Sequence, residues 1–256
     1  TSGIISHGLL TLKTGEFDNQ RGRLYATGAF DATTAYFDNR YGVINADANA
    51  IFNSLGFNNQ YGIVSTLSNT TFKLQQTILD NNDGVIESSG QLTTISGQIN
   101  NRRGKLFGKQ ALDMTSLAFD NQGGLIKSEQ ATTIDTQGQT LINADSGSEG
   151  GIHSGSILLL KTGELNNRYG RISAQDTLTT HLGVFNNAYG KLTSKKGLQF
   201  NASQINNRHG LIYSVGNANI SLGIGETLGE FNNINGTVQT KGTLDILSGP
   251  FNNDSG

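Results

Sequence analysis

"FDNRYGVINADANAIFNSLG" (residues 37–56) runs directly into "FNNQYGIVSTLSNTTFKLQQTI" (residues 57–78), and the second stretch restarts the first. A fixed period of this size marks a solenoid or a propeller: one unit is too small to bury its own apolar face and does so only against its neighbours. The unit reads apolar, Asp or Asn, Asn, two variable positions, Gly, one variable position, apolar. It begins at Phe17, Phe37, Phe57, Leu79, Ile99, Phe119, Leu165, Phe185, Ile205 and Phe231, with a stretched copy from Leu141 and a truncated one from Phe251. These twelve starts are 20, 20, 22, 20, 20, 22, 24, 20, 20, 26 and 20 residues apart, so the basic unit is twenty residues with occasional additions.

Between copies the apolar marks fall two residues apart, as in Leu106-x-Gly108, Leu112-x-Met114 and Leu198-x-Phe200. A spacing of two is the period of a strand. Each unit therefore predicts three short strands, paired in parallel with the units before and after it. The expected fold is all-β, a right-handed parallel β-helix of about twelve coils, its hand following from the crossover rule. Strands stacked ~4.8 Å apart make such a rod roughly 58 Å long. Residues 1–256 read as one elongated domain.

Composition agrees. The 256 residues include 34 Gly, 1 Pro and no Cys or Trp, and only 15% are charged, which suits short strands and Gly/Asn turns better than helices. Without cysteine there is no disulfide framework, thiolate metal site or Cys nucleophile. The net charge of −2 gives no reason to expect nucleic acid as a partner, and no apolar run is long enough to embed the chain in a bilayer.

The columns of the repeat differ in what they tolerate. The third position is Asn in every copy: Asn19, Asn39, Asn59, Asn81, Asn101, Asn121, Asn143, Asn167, Asn187, Asn207, Asn233 and Asn253. The position before it also takes Asp, at Asp18, Asp38, Asp80 and Asp120. A turn former alone would permit Asp in both columns. A residue stacked on copies of itself must donate and accept, which an amide does and a row of carboxylates does not. The third column is therefore expected to form a buried asparagine ladder, with the second column nearer solvent. Gly at the sixth position, from Gly22 to Gly256, suggests a demand for positive φ. A further column (Ala26, Ala46, Thr66, Ser88, Gly108, Ser128, Ser154, Ala174, Ser194, Ser214, Thr240) is uniformly small and marks a narrow point of the coil.

The Asn-Asn-x-x-Gly-x-Ile/Leu corner on a twenty-residue period resembles the filamentous-haemagglutinin-type repeats of bacterial exoproteins exported by two-partner secretion, a group that includes adhesins and the stalks of contact-dependent growth inhibition toxins. The resemblance spans about residues 3–256. It implies a secreted or cell-surface filament with an outer-membrane secretion partner, serving cell adhesion or virulence. It implies a structural or adhesive stalk, not an enzyme. The family's Asn-Pro-Asn secretion motifs are missing, Pro250 being the one proline, and both ends of the sequence read as cuts through a longer array.

Chemistry-bearing residues are sparse. Glu16, Asp18 and Asp38 fall in one corner as a conceivable cation site, but Arg21, Arg23 and Arg40 share it, and a surface charge ladder is the simpler reading. His7, His153, His181 and His209 occupy different columns. A polysaccharide-active β-helix enzyme would need a recurrent pair of inward acids, and none recurs. No catalytic residue, metal ligand or cofactor is therefore assigned. The fifth column carries Tyr41, Tyr61, Tyr169, Tyr189 and His209, an outward aromatic stripe that suggests either packing over the corner or a binding surface for a glycan or receptor. Residues 145–151 and 222–230 interrupt the period and are expected to bulge as loops.

Overall fold

A computed structural model describes residues 3–75 and 77–256. Among the described residues every element is a strand, and there is no helix. Each repeat supplies one short strand after its glycine, such as Arg23–Ala26, Val43–Ala46, Ile63–Thr66 and Val85–Ser88. Twelve such strands, from Ile4–Ser6 to Thr237–Thr240, lie in chain order in a single parallel sheet. Equivalent repeat positions sit directly over one another, as Leu24 pairs with Ile44, Ile44 with Val64, and Val64 with Ile86. The other side of each coil belongs to a sheet of nineteen strands. The fold is thus a parallel β-solenoid of about twelve turns.

Three strands per coil describes the middle of the rod and its last coil, Thr237–Thr240, Leu244–Leu247 and Phe251–Asn252. In the middle, pairs such as Leu92–Ile95 with Gln98–Asn100 are separated by a corner. On either side of the middle a single strand runs through that corner unbroken, as in Phe30–Asp38 and Thr177–Asn186, until the corner breaks again after residues 222–230. The cause of the middle break is two-residue additions: both 22-residue spacings fall in that region, where Gln75 and Gln137 take positive φ of 39° and 52°. A strand crosses a corner only where its neighbours offer continuous partners, so the break carries through the two twenty-residue coils between.

The inward residues merge into one core extending from Leu24 to Phe231. Stacked coils put like on like. Phe17, Phe37 and Phe57 follow at centroid distances of 5.0 and 4.9 Å, and Phe52 lies on Phe72 at 4.7 Å and 9°. Each such ring contributes about 1.5–3 kcal/mol of burial. The small column lines a tight corner, where its hydroxyls also do a job that size alone did not suggest. Ser88 Oγ donates to the carbonyl of Ser68 at 2.6 Å and lies 3.0 Å from that of Gln91, while Thr66 and Thr70 share a 2.7 Å hydroxyl contact. Turn carbonyls that no strand pairs are satisfied in this way.

The two longer additions are absorbed outside the ladders. Residues 145–150 form a turn closed by Gly150 N–H donating to Ser146 O at 2.9 Å. In residues 222–230, Gly223–Ile224 pairs antiparallel with Thr227–Leu228, against parallel pairing everywhere else among the described residues.

Candidate functional site

The asparagine corner is the most regular feature of the molecule. Asn19 Nδ2 donates to Asn39 Oδ1 at 2.7 Å, Asn39 to Asn59 at 2.7 Å, Asn59 to Asn81 at 2.8 Å, and the file continues through Asn101, Asn121, Asn143, Asn167, Asn187, Asn207 and Asn233 to Asn253. Every bond runs in the same sense, from Nδ2 of one coil to Oδ1 of the next. The second amide hydrogen lies near the glycine carbonyl of its own turn, as Asn81 Nδ2 does with Gly84 O at 3.2 Å. A carboxylate could not occupy this column without facing acceptors on two sides.

The second column plays a different part. Its side-chain oxygen accepts the N–H two residues on: Gln20 N donates to Asp18 Oδ1 at 2.7 Å, Gln122 N to Asp120 Oδ1 at 2.9 Å, and Ala188 N to Asn186 Oδ1 at 3.2 Å. An acceptor is all that this Asx turn requires, so Asp and Asn serve equally. Most of the column is half-buried, but Asp38 is buried and Asp18 exposed.

Positive φ belongs to the residue before the glycine, which corrects the expectation from the sequence. Arg21, Tyr41, Tyr61, Asp83, Arg103, Tyr169, Tyr189 and His209 have φ between 53° and 58°, whereas the sixth-position glycines have ordinary backbone. What those glycines supply is the absence of a Cβ. At Gly62 a Cβ would collide with Asn39 O and Asn59 Oδ1 and lie 3.0 Å from Asn39 Nδ2. The ladder passes so close to the turn that no side chain fits between them.

Left-handed backbone is unfavourable for a bulky L-residue by about 1–3 kcal/mol. Cross-coil stacking offsets it. Tyr41 and Tyr61 are 4.9 Å apart and 6° from parallel, Tyr169 and Tyr189 are 4.9 Å apart, and Tyr189 lies 4.7 Å from His209. A guanidinium group covers one outer face of each stack, Arg21 at 5.7 Å from Tyr41 and Arg168 at 4.9 Å from Tyr169. The rings thus turn their edges to solvent, each tyrosine being about half exposed. Between the two stacks Arg103 grips Asp83 through two bonds of 2.8 and 2.7 Å, which holds the Asp83 carboxyl below its ordinary range.

The remaining polar groups are dispersed. Arg40 pairs with Asp38 at 2.7 Å, and no group of three or more His, Asp or Glu is placed to hold a metal ion among the described residues. His209 is part of the aromatic stack, His181 is exposed, and His153 is tied to Ser173 Oγ at 2.8 Å and Gly150 O at 3.0 Å. Burial, then the charges of Arg171 and Lys127, push the His153 imidazole below its ordinary pKa. Among the described residues no helix is long and apolar enough to cross a membrane.

Comparison with known proteins gives one result. No curated protein and no solved structure matches the chain. The haemagglutinin repeat family matches residues 1–97, 93–223 and 213–256, which together span the chain. Its members are secreted or surface-exposed proteins, and the repeat is structural or adhesive. The match runs the length of a molecule built throughout from parallel coils closed by an Asn file and a Cβ-free turn, and the chain belongs to the haemagglutinin repeat family.

Proposed function

We propose that this chain is a stalk segment of a filamentous bacterial exoprotein of the adhesin or contact-dependent growth inhibition type. It is exported through an outer-membrane partner by two-partner secretion, and it holds a distal activity away from the cell surface. The observation that carries this reading is the unbroken file of amide bonds through twelve coils, together with one continuous apolar core. Such a rod transmits position over its length while each coil depends only on its neighbours. Deleting residues 165–204 joins Glu164 to Ile205 and removes two coils without changing register, because Glu164, Val184 and Gln204 occupy equivalent positions. The shortened chain should keep its β-sheet spectrum and lose about 10 Å of length by small-angle scattering. Wholesale loss of structure would argue against a modular stalk.

A second reading rests on the strained, half-exposed aromatic column. Its edges and hydroxyls offer a polar rim to a protein receptor, since most of the ring faces that a sugar would stack against are occupied by neighbouring rings and guanidinium groups. Replacing Tyr169, Tyr189 and His209 together by Asn, which tolerates left-handed backbone, should abolish attachment to target cells while circular dichroism shows the sheet retained. Undiminished attachment leaves the column a packing device.

A further inference from the structure

The formal net charge of −2 conceals a segregated surface. On the outward side of the twelve-stranded sheet five cations, Arg23, Lys105, Lys127, Arg171 and Lys191, face solvent, and Glu87 is the one acid among the described residues there. Four of the five gather on the coils between Lys105–Gly108 and Lys191–Ser194. None of the four forms an ion pair among the described residues, whereas Arg40, Arg102, Arg103 and Lys196, elsewhere on the rod, each have a carboxylate partner. The sequence scatters these cations over 87 residues; the coil period brings them together. His153 lies in the same band, and the field of Arg171 and Lys127 contributes to holding it neutral.

We infer that this band binds a linear acidic polysaccharide laid along the rod axis. The band is two outward columns wide, about 7 Å, and roughly 19 Å long at ~4.8 Å per coil. That footprint suits one extended chain, and the coil rise is close to the length of one sugar ring, so about one cation meets each ring of a polymer carrying one carboxylate per ring. Duplex DNA, with a charge every ~1.7 Å, is far denser than the band. An anionic bilayer is a broad plane, and the band offers it only a single narrow row of charge. Phe107 adds an apolar surface at one end of the band: it is partly exposed beside Lys105, registers directly on Lys127, and among the described residues its ring lies against no other aromatic. Its exposed part can take an apolar C–H patch of a sugar. The inference does not depend on the stalk reading, since a stalk could carry this band or lack it.

The test uses the whole chain and sodium polygalacturonate in a titration. Binding should weaken by roughly 50-fold between about 50 and about 200 mM salt, as four charge contacts at a slope of about −0.7 each require. The variant Lys105→Gln/Lys127→Gln/Arg171→Gln/Lys191→Gln should lose most of the affinity, and Phe107→Ser should weaken it with an unchanged salt slope. Lys13→Gln/Lys73→Gln/Lys161→Gln, altered on the other sheet, should bind as the parent does. In the complex the His153 ring should titrate at higher pH, because the ligand neutralises the cations beside it. Circular dichroism checks that each variant retains its sheet. Equal binding by the fourfold variant, absence of binding at low salt, or tighter binding to duplex DNA or to anionic vesicles would overturn the inference.

Discussion

Changing Asn187 to Asp, with Asn186 changed to Asp as its neighbour and control, puts the same chemical edit into adjacent columns. Asn187 is fully buried, accepts from Asn167 Nδ2 at 2.7 Å, and donates to Asn207 Oδ1 at 2.7 Å and Leu211 O at 3.2 Å. A carboxylate there keeps the first bond and loses the others, leaving Asn207 Oδ1 an orphaned buried acceptor at a cost of about 1–3 kcal/mol. It also faces oxygen on the far side, and each unit by which burial raises its pKa costs a further ~1.4 kcal/mol at neutral pH. A rise of about two units brings the total to about 4 kcal/mol or more. Asn186, by contrast, uses its Oδ1 only as an acceptor, from Ala188 N at 3.2 Å and Asn206 Nδ2 at 3.3 Å. Asp can take both bonds, so the cost should stay within about 0.5 kcal/mol. Urea denaturation of the two variants at neutral pH measures the gap. The raised pKa also fixes the sign of the pH effect: the penalty is absent below the unfolded Asp value of ~3.9 and appears as pH rises through the folded value. The gap should therefore narrow at about pH 3.5, where a protonated carboxyl can again donate to Asn207. Equal costs at neutral pH, or a gap indifferent to pH, would refute the two-column argument.

Gly190→Ala should lower stability by about 1–3 kcal/mol in a thermal melt, because the added methyl meets Asn167 O and Asn187 Oδ1, with Asn167 Nδ2 only 2.9 Å away. A neutral result would mean that the glycine column serves backbone conformation after all. His153 is held below its ordinary pKa, so its contribution is fully present above ~6.5 and is lost as pH falls towards the folded value. The parent chain should accordingly lose more stability between about pH 7.5 and about pH 5 than a His153→Gln variant does, and parallel curves would remove His153 from the account.

Fold class, period and the identity of the buried amide column were legible in the chain itself, because a solenoid repeats its physics once per unit. A constraint met twelve times leaves a column that composition alone would hide. The Asp/Asn tolerance of residues such as Asp120 and Asn186 beside the strictness of Asn121 and Asn187 already separates an acceptor from a group that must do both. Other features lacked such a signature. A glycine column reads the same whether the cause is positive φ or a missing Cβ, and only the approach of Asn39 O and Asn59 Oδ1 to Gly62 distinguishes them. Tyr61 carries a left-handed backbone that its residue type argues against, compensated by a neighbour twenty residues away. The broken third corner depends on whether the coils on either side are broken too, which no single repeat can express.

What the amino-acid sequence determined by itself is therefore everything that recurs along the rod axis: the coil, its parallel pairing and the column that must be amide. Tertiary structure alone decided what lies across that axis. Which outward residues share a face, as Lys105, Lys127, Arg171 and Lys191 do, and which ring faces are already occupied, depend on distances between residues far apart in the chain, and those distances exist only once the coils are stacked.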